Sequence, residues 1–496
     1  MEPAARSPEG IELPLQALDK ACLAASDAAA GLSNAPTWRL ELEGVLPAAA
    51  LRRALAGLIV ACPSIAATVV PKDGPPARAR GWAYRLPEPA AGPDDVPDAL
   101  LDALWTLHPA ATWETLDGRP ALDGGAAGRP AATPPPVERT DDDALGQRIC
   151  DRFLDLTAGP GLRLDLRPRP GGATLWLQQH HALADGRAFI ALLERLFALL
   201  DPCLRGEAIP AELLRPMTRQ PELAALRVGP WRRRLWTLRG ALVYLRGAIA
   251  AAFAPLDALA QNVGADYRGS NRTLHLPIPA DRLRALRARS EAAGANLHAG
   301  LLAAWTRANA ALSAERGQPV RRVMLTSIVD LRPRAAAGEV AFESFANHLG
   351  WTLPIADLER APDAGRLAAS LHRQMRRQLA ADEPWQRALF ERLGVLALPL
   401  AALRKALSAP PRAVVQLNVS NVLALPIPTL RAGEVEVRKV RITTPVAPRY
   451  GALLTLTRYG DEACCNVNVK ASVMDNEAAE RLVALFAEEL GLAPDA

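Results

Sequence analysis

Residues 37–44 (TWRLELEG) alternate apolar and polar side chains with the two-residue period of a half-buried strand. Pro47 then opens a helix in which Leu51, Leu55, Leu58 and Cys62 share one stripe, and Pro63 stops it. A second strand is expected at 65–70, followed by a turn at 71–76, and residues 91–98 read as loop. Residues 124–143, rich in Gly, Ala and Pro, read as an exposed loop whose closing Asp141, Asp142 and Asp143 stand where they would cap the next helix. Strands at 162–166 and 174–179 flank a Pro- and Gly-rich turn, which predicts a hairpin. Residues 189–200 are apolar on more than one side, as a doubly covered helix would be.

Beyond Gly206 the pattern loosens, and residues 230–260 set Trp231, Arg232, Arg233, Arg234, Trp236, Arg239, Tyr244 and Arg246 among alanines and leucines. This stretch reads as a connecting helix, with a lid or a surface for an anionic carrier or a lipid as its functional alternative. Arg239 and Arg246 interrupt it, so no transmembrane run is expected. The second half resumes the alternation: strand 273–278, helices 280–292 and 297–310, strands 322–329, 414–421, 435–442, 452–458 and 465–473, and helix 477–490. Two α/β halves result, divided as 1–205, a helical connector 206–262, and 263–496.

Composition narrows the picture modestly. Half of the 496 residues are hydrophobic, enough for more than one core. Against 53 acidic residues, 58 basic ones give +5, too little for a nucleic-acid binder. Six cysteines without a CxxC indicate neither a disulfide scaffold nor a zinc site, and no secretory signal is expected from residues 1–10, so a cytoplasmic protein is expected.

The densest chemistry is His180-His181-Ala182-Leu183-Ala184-Asp185-Gly186. A histidine at a strand end can act as a general base near neutral pH if it faces a cleft, and strand alternation sends the two imidazoles to opposite sides. Gly186 suits a turn that a side chain would obstruct. A metal site would need a third ligand that this spacing does not supply, and a purely structural pair is the other reading. There is no GxSxG elbow, and no cysteine is expected beside the motif.

His180-His181-x-x-x-Asp185-Gly186, preceded by Phe153-Leu154-Asp155-Leu156 and Gly159-Pro160, resembles the signature of the CoA-dependent acyltransferase superfamily. Nonribosomal peptide condensation domains, polyketide-associated acyltransferases and wax-ester synthases belong to it. Val329-Asp330-Leu331-Arg332-Pro333 and Val419-Ser420-Asn421-Val422 follow in the family's order, so the likeness spans about 18–490. It implies an α/β fold of two chloramphenicol-acetyltransferase-like subdomains forming a V-shaped pseudo-dimer, with substrate tunnels meeting at the junction. It also implies His181 as the catalytic base, with Gly186 contributing backbone at the reacting centre. His180, Asp185 and Arg332 would organise the motif, and Ser420, Asn421 and Asn347 are candidates to hold an oxyanion or orient substrate. The arginine that condensation domains carry after the first helix has no counterpart in 61–67, so Asp185 needs another partner. Residues 420–426 also lack the glycine common after the Ser-Asn pair.

The implied reaction moves an acyl group from the phosphopantetheine thioester of a carrier protein to a hydroxyl or amine. The alternatives are an acyl-CoA-dependent alcohol acyltransferase and an inactive structural partner of an assembly line. No tightly bound cofactor or metal is expected, the partners are a carrier protein and a small acceptor, peripheral lipid contact is compatible with the arginine patch, and the chain is expected to be a monomer.

Overall fold

The computed structural model describes residues 5–7, 10–26, 33–72, 79, 81–110, 137–140, 143–217, 219, 229–253, 255–260, 270–332, 344–408, 416–421, 427–447 and 450–492. The first half runs β1 (Ala5–Ser7), β2 (Gly10–Pro14), α1 (Ala17–Ala24), β3 (Thr37–Glu43), α2 (Ala48–Ala61), β4 (Thr68–Pro71), β5 (Trp82–Arg85), α3 (Asp98–Leu104), β6 (Trp105–Leu107), β7 (Glu138–Arg139), α4 (Ala144–Asp151), β8 (Leu162–Arg169), β9 (Gly172–Gln179) and α5 (Gly186–Leu204). After α6 (Pro230–Phe253) come β10 (Asn271–Ile278), α7 (Ala280–Ala292), α8 (Leu297–Glu315), β11 (Arg322–Asp330), β12 (Leu349–Thr352), β13 (Ile355–Asp357), α9 (Ala364–Ala380), α10 (Glu383–Ala397) and α11 (Leu400–Ser408). The chain ends with β14 (Gln416–Asn421), β15 (Arg431–Ala432), β16 (Val435–Thr443), β17 (Ala452–Tyr459), β18 (Glu462–Lys470) and α12 (Asn476–Leu490).

Each half is a mixed sheet covered by helices, so the α/β class holds. In the first, the sheet order is β15-β16-β3-β9-β8-β6. Alternation in β3 turns Trp38, Leu40 and Leu42 into the core, where they join the stripe Leu51, Leu55, Leu58 and Cys62 of α2 and the apolar faces of α5. The second sheet runs β12-β11-β14-β17-β18-β10-β7, with β13 on β11, and packs against α8 and α12.

The halves repeat one unit, a tight hairpin followed by a helix. Gly171 and Gly460 take left-handed φ values of 73° and 56° in the two hairpin turns. The helices that follow are N-capped by aspartates, Asp185 on the Ala188 N–H and Asp475 on the Ala478 N–H. This pseudo-duplication has no exact sequence repeat beneath it.

The halves also exchange strands. β16 from the C-terminal part pairs antiparallel with β3, and β7 from the N-terminal part pairs with β10. Glu138 of β7 fastens the exchange, accepting from Lys439 and Arg441 at 3.0 Å each and from Arg39 at 3.1 Å.

Some boundaries differ from the sequence reading. The strand expected at 65–70 begins only at Thr68, because Pro63 starts a 3-10 turn, Pro63–Ala66, that buries Ile65. The strand expected at 465–473 is Glu462–Lys470, since the turn after Tyr459 pairs that residue directly with Glu462. Of the acidic triplet, Asp143 caps α4 through the Leu145 N–H, while Asp141 and Asp142 lie outside the described residues, as does most of 124–143.

Candidate functional site

β9 ends at Gln179, and the chain turns through the histidine motif before α5 begins at Gly186. His180 is buried with both ring nitrogens engaged. Its Nδ1 accepts from the Ala182 N–H at 3.1 Å, so the proton sits on Nε2 and is donated to Ser26 Oγ at 2.9 Å. Burial, with His181 beside it, pushes the His180 pKa down to about 3 and keeps it neutral.

His181 is held by its backbone instead. Its N–H donates to the Asn34 carbonyl at 2.8 Å, and its carbonyl accepts from Asn347 Nδ2 at 2.9 Å. The imidazole lines two cavities at once: one of about 580 Å³ between the halves, and one of about 60 Å³ toward Trp38 and Phe189. Asp185, Gly186, Ser420 and Thr444 border both spaces. The parallel strands β11, β14 and β17 supply much of the larger wall, with Ser327, Val329, Asn418, Ser420 and Leu453.

Asp185 does not contact His181. Its carboxylate forms a two-pronged ion pair with Arg332, at 2.9 and 3.0 Å, and accepts the N–H groups of Ala188 at 3.0 Å and His348 at 2.8 Å. The partner missing after the first helix is thus supplied from the second half. Burial alone would raise the Asp185 carboxyl, but the Arg332 charge and these hydrogen bonds hold it below its ordinary value. Arg332 donates as well to the carbonyls of Ser344 and Ala346 and to Asp330, which ties the end of β11 to the motif.

A second buried ion pair braces the loop from behind. Asp19 of α1 accepts from Arg219 at 2.7 Å, and Arg219 donates to the Leu183 and Phe345 carbonyls and lies over the Tyr84 ring. Tyr84 donates to the Ala182 carbonyl. Asp19, Tyr84, Arg219 and Ser26 were not singled out from sequence, because each has a partner more than 90 residues away and none belongs to a local motif.

Three expectations need correction. Asn347 is not available to an oxyanion: its Nδ2 is spent on Asp19 at 3.0 Å and on the His181 and Ala182 carbonyls at 2.9 and 3.2 Å, which makes it a positioning residue. Gly186 does not relieve a crowded turn, since a Cβ there would meet nothing within 4 Å and its φ is not left-handed. And a cysteine does stand beside the motif: α1 brings Cys22 Sγ to 4.0 Å from His181 Nδ1, on the wall of the larger cavity. Ser420 lines both cavities, whereas Asn421 is a strand residue whose side chain lies outside the described ones.

The open space at Gly186 yields a test. Gly186→Ala should leave the melting temperature unchanged or raised, because alanine is the better helix former by up to about 1 kcal/mol. Its methyl projects into the cavities beside His181, and transfer should fall by roughly tenfold or more, read as kcat/KM on a correctly folded protein. Unchanged turnover would show that the space above the helix start is not used.

His298 also faces the larger cavity, bonded through Nε2 to Ser327 Oγ at 2.7 Å; burial lowers its pKa to about 4, so it is neutral at pH 7.

A family model, phthiocerol/phthiodiolone dimycocerosyl transferase C-terminus, matches residues 278–459. No curated protein matches. Among solved structures, a trichothecene 15-O-acetyltransferase from Fusarium sporotrichioides aligns with a TM-score of 0.69 at 13% identity, covering 99% of this chain and 96% of that one. Polyketide synthase associated protein 5 from Mycobacterium tuberculosis aligns with a TM-score of 0.59 at 18% identity, covering 98% and 99%. The first condensation domain of the calcium-dependent antibiotic synthetase, in complex with a substrate analogue, aligns with a TM-score of 0.61 at 17% identity, covering 96% and 95%. The likeness runs the full length of these chains and shows that this chain shares their fold, a two-subdomain pseudo-dimer, with the family match lying in its second half.

Proposed function

We propose that the chain transfers an acyl group from a carrier-protein phosphopantetheine thioester to a hydroxyl or amine, with His181 as general base. The observation that carries this reading is the position of His181 on the shared wall of two cavities, with its main chain clamped on both sides and its ring unclaimed by Asp185. The acceptor gives its proton to the His181 imidazole as its oxygen or nitrogen attacks the thioester carbonyl. When the C–S bond breaks, the imidazolium returns that proton to the leaving thiolate, so no proton or electron is left over. Ser420, which lines both cavities with His181, is the side-chain donor for the transient oxyanion in this reading, and Gly186 opens the positive end of α5 toward the same space.

Asp185 and Arg332 hold the motif, in this reading, and touch no substrate. Cys22 raises a competing route, acyl transfer through an enzyme thioester, because a thiol beside an imidazole is a potential nucleophile. One experiment addresses both the donor and the route: intact-mass analysis of product and enzyme with matched acyl-CoA and acyl-carrier donors against alcohols and amines. Turnover from the carrier thioester with an unmodified enzyme mass is the expected outcome. Efficient transfer from free CoA would instead favour an acyl-CoA-dependent alcohol acyltransferase, and an acyl adduct lost in Cys22→Ser would replace direct transfer by the covalent route.

A further inference from the structure

Helix α6 carries the arginine-rich stretch, which the proposed chemistry does not use, and its outer face is unusual. Trp231, Leu235, Leu238, Leu242, Leu245, Ile249 and Phe253 recur at spacings of three and four, which confines them to about 80° of the helix circumference. All seven are solvent-exposed, Trp231 at 75% and Phe253 at 87%. Leu393, Leu396 and Leu398, in and just after the neighbouring α10, are exposed too. Such a continuous apolar stripe is larger than the scattered exposed leucines of an ordinary surface.

The opposite face is packed. Gly240 lies against the Gln386 carbonyl, where any Cβ would overlap it, and Tyr244 stacks at 5.4 Å on Phe390. Trp236 packs with Leu331, Trp385 and Leu389 in a small cluster that also includes Val329 and Leu379, and these last two line the larger cavity. The inner face of α6 therefore backs directly onto the cavity wall while the apolar stripe looks outward.

Charge identifies the occupant. The 24 residues of α6 contain five arginines and no Asp or Glu. Arg232, Arg239 and Arg246 flank one margin of the stripe and Arg234 the other, all exposed. A second copy of the chain laid on this face would bring arginines against arginines, and acidity in a carrier protein would answer the arginines but not of itself an apolar stripe that runs from Trp231 to Phe253. An anionic bilayer satisfies both halves of the pattern, burying the apolar stripe among acyl chains and setting the guanidinium groups at the headgroups. Among the described residues no helix is long and apolar enough to cross a membrane, so α6 would lie in the interface plane.

We propose that α6 docks the protein reversibly on anionic lipid surfaces, which sets the wall of the larger cavity beside the bilayer. The test uses the full chain and vesicles of phosphatidylcholine alone or mixed with phosphatidylglycerol. Cosedimentation is expected with the mixed vesicles, accompanied by a blue shift of tryptophan emission that Trp231→Phe diminishes. Replacing Arg232, Arg233 and Arg234 by glutamine should lower partitioning roughly 100-fold, and the Leu238→Glu, Leu245→Glu double variant should abolish it with the circular dichroism unchanged. The proposal is overturned if the folded protein ignores phosphatidylglycerol vesicles, if the glutamate variant binds as well as the parent, or if sedimentation velocity shows the stripe sequestered in a dimer. Binding is read without turnover, so its failure is independent of the transfer reaction.

Discussion

His181→Ala is expected to lower acyl transfer by about 10²- to 10⁴-fold, the usual contribution of a positioned general base, without disturbing the fold. The structural part of the expectation follows from how the residue is held. Both contacts that fix its place are made by its backbone, the N–H to Asn34 and the carbonyl to Asn347, and alanine keeps them. Among the described residues, the polar side chain beside the ring is Cys22, its Sγ 4.0 Å from Nδ1. The loss should appear in kcat with KM little changed, because the proton is taken in the transition state rather than on binding. His180→Ala is the instructive contrast: it removes the partner of Ser26 Oγ and leaves a buried void, so its effect should register as lost stability. A folded His181→Ala protein with the parent's turnover would remove the base from the mechanism.

The histidine motif was legible because its parts are contiguous. Strand, turn and helix follow one another within about 15 residues, and the alternating pattern of β9 announces where the strand delivers its end. The hairpins were visible for the same reason, their glycines marking turns between alternating runs. What could not be read was the company these residues keep. Asp185 finds Arg332 across 147 positions, Asn347 reaches Asp19 across 328, and Cys22 meets His181 across 159. No local pattern encodes such meetings. They arise because β16 crosses to the first sheet and residues 344–348 of the second half lie against the motif, and both are properties of the assembled pair of halves.

That assembly explains why Asn347 was misassigned. Beside a histidine motif, an asparagine suggests an oxyanion donor, yet here the second half uses it to grip the main chain on which His181 sits. The Arg332 and Asn347 side chains and the His348 N–H together make the histidine turn of one half depend on the other. A change in how the halves meet would reach His181 through this turn rather than through the substrate.

The strongest structural dependence should lie in the pair itself. Arg332→Met is expected to cost about 3–5 kcal/mol in urea unfolding, because it strands a fully buried carboxylate. Asp185→Asn should cost less: asparagine still caps α5, and Arg332 keeps Asp330 and two carbonyls. The double variant Asp185→Leu, Arg332→Met should be less destabilised than the sum of its single changes, since neither charge is then left alone, and a double-mutant cycle measures that coupling. The pH dependence has a definite sign. The Asp185 carboxyl is held below its unfolded value of about 3.9, so the unfolded chain binds the proton first, and the contribution is complete above that pH and lost as pH falls through the lower folded value. Without Arg332, burial raises the stranded carboxyl, so the stability gap between the parent and Arg332→Met should be widest at neutral pH and above and should narrow as pH falls, beginning above about pH 4. Additive single and double costs, or a gap that does not narrow in acid, would mean that the two residues are held by their other contacts and that the halves do not meet through this ion pair.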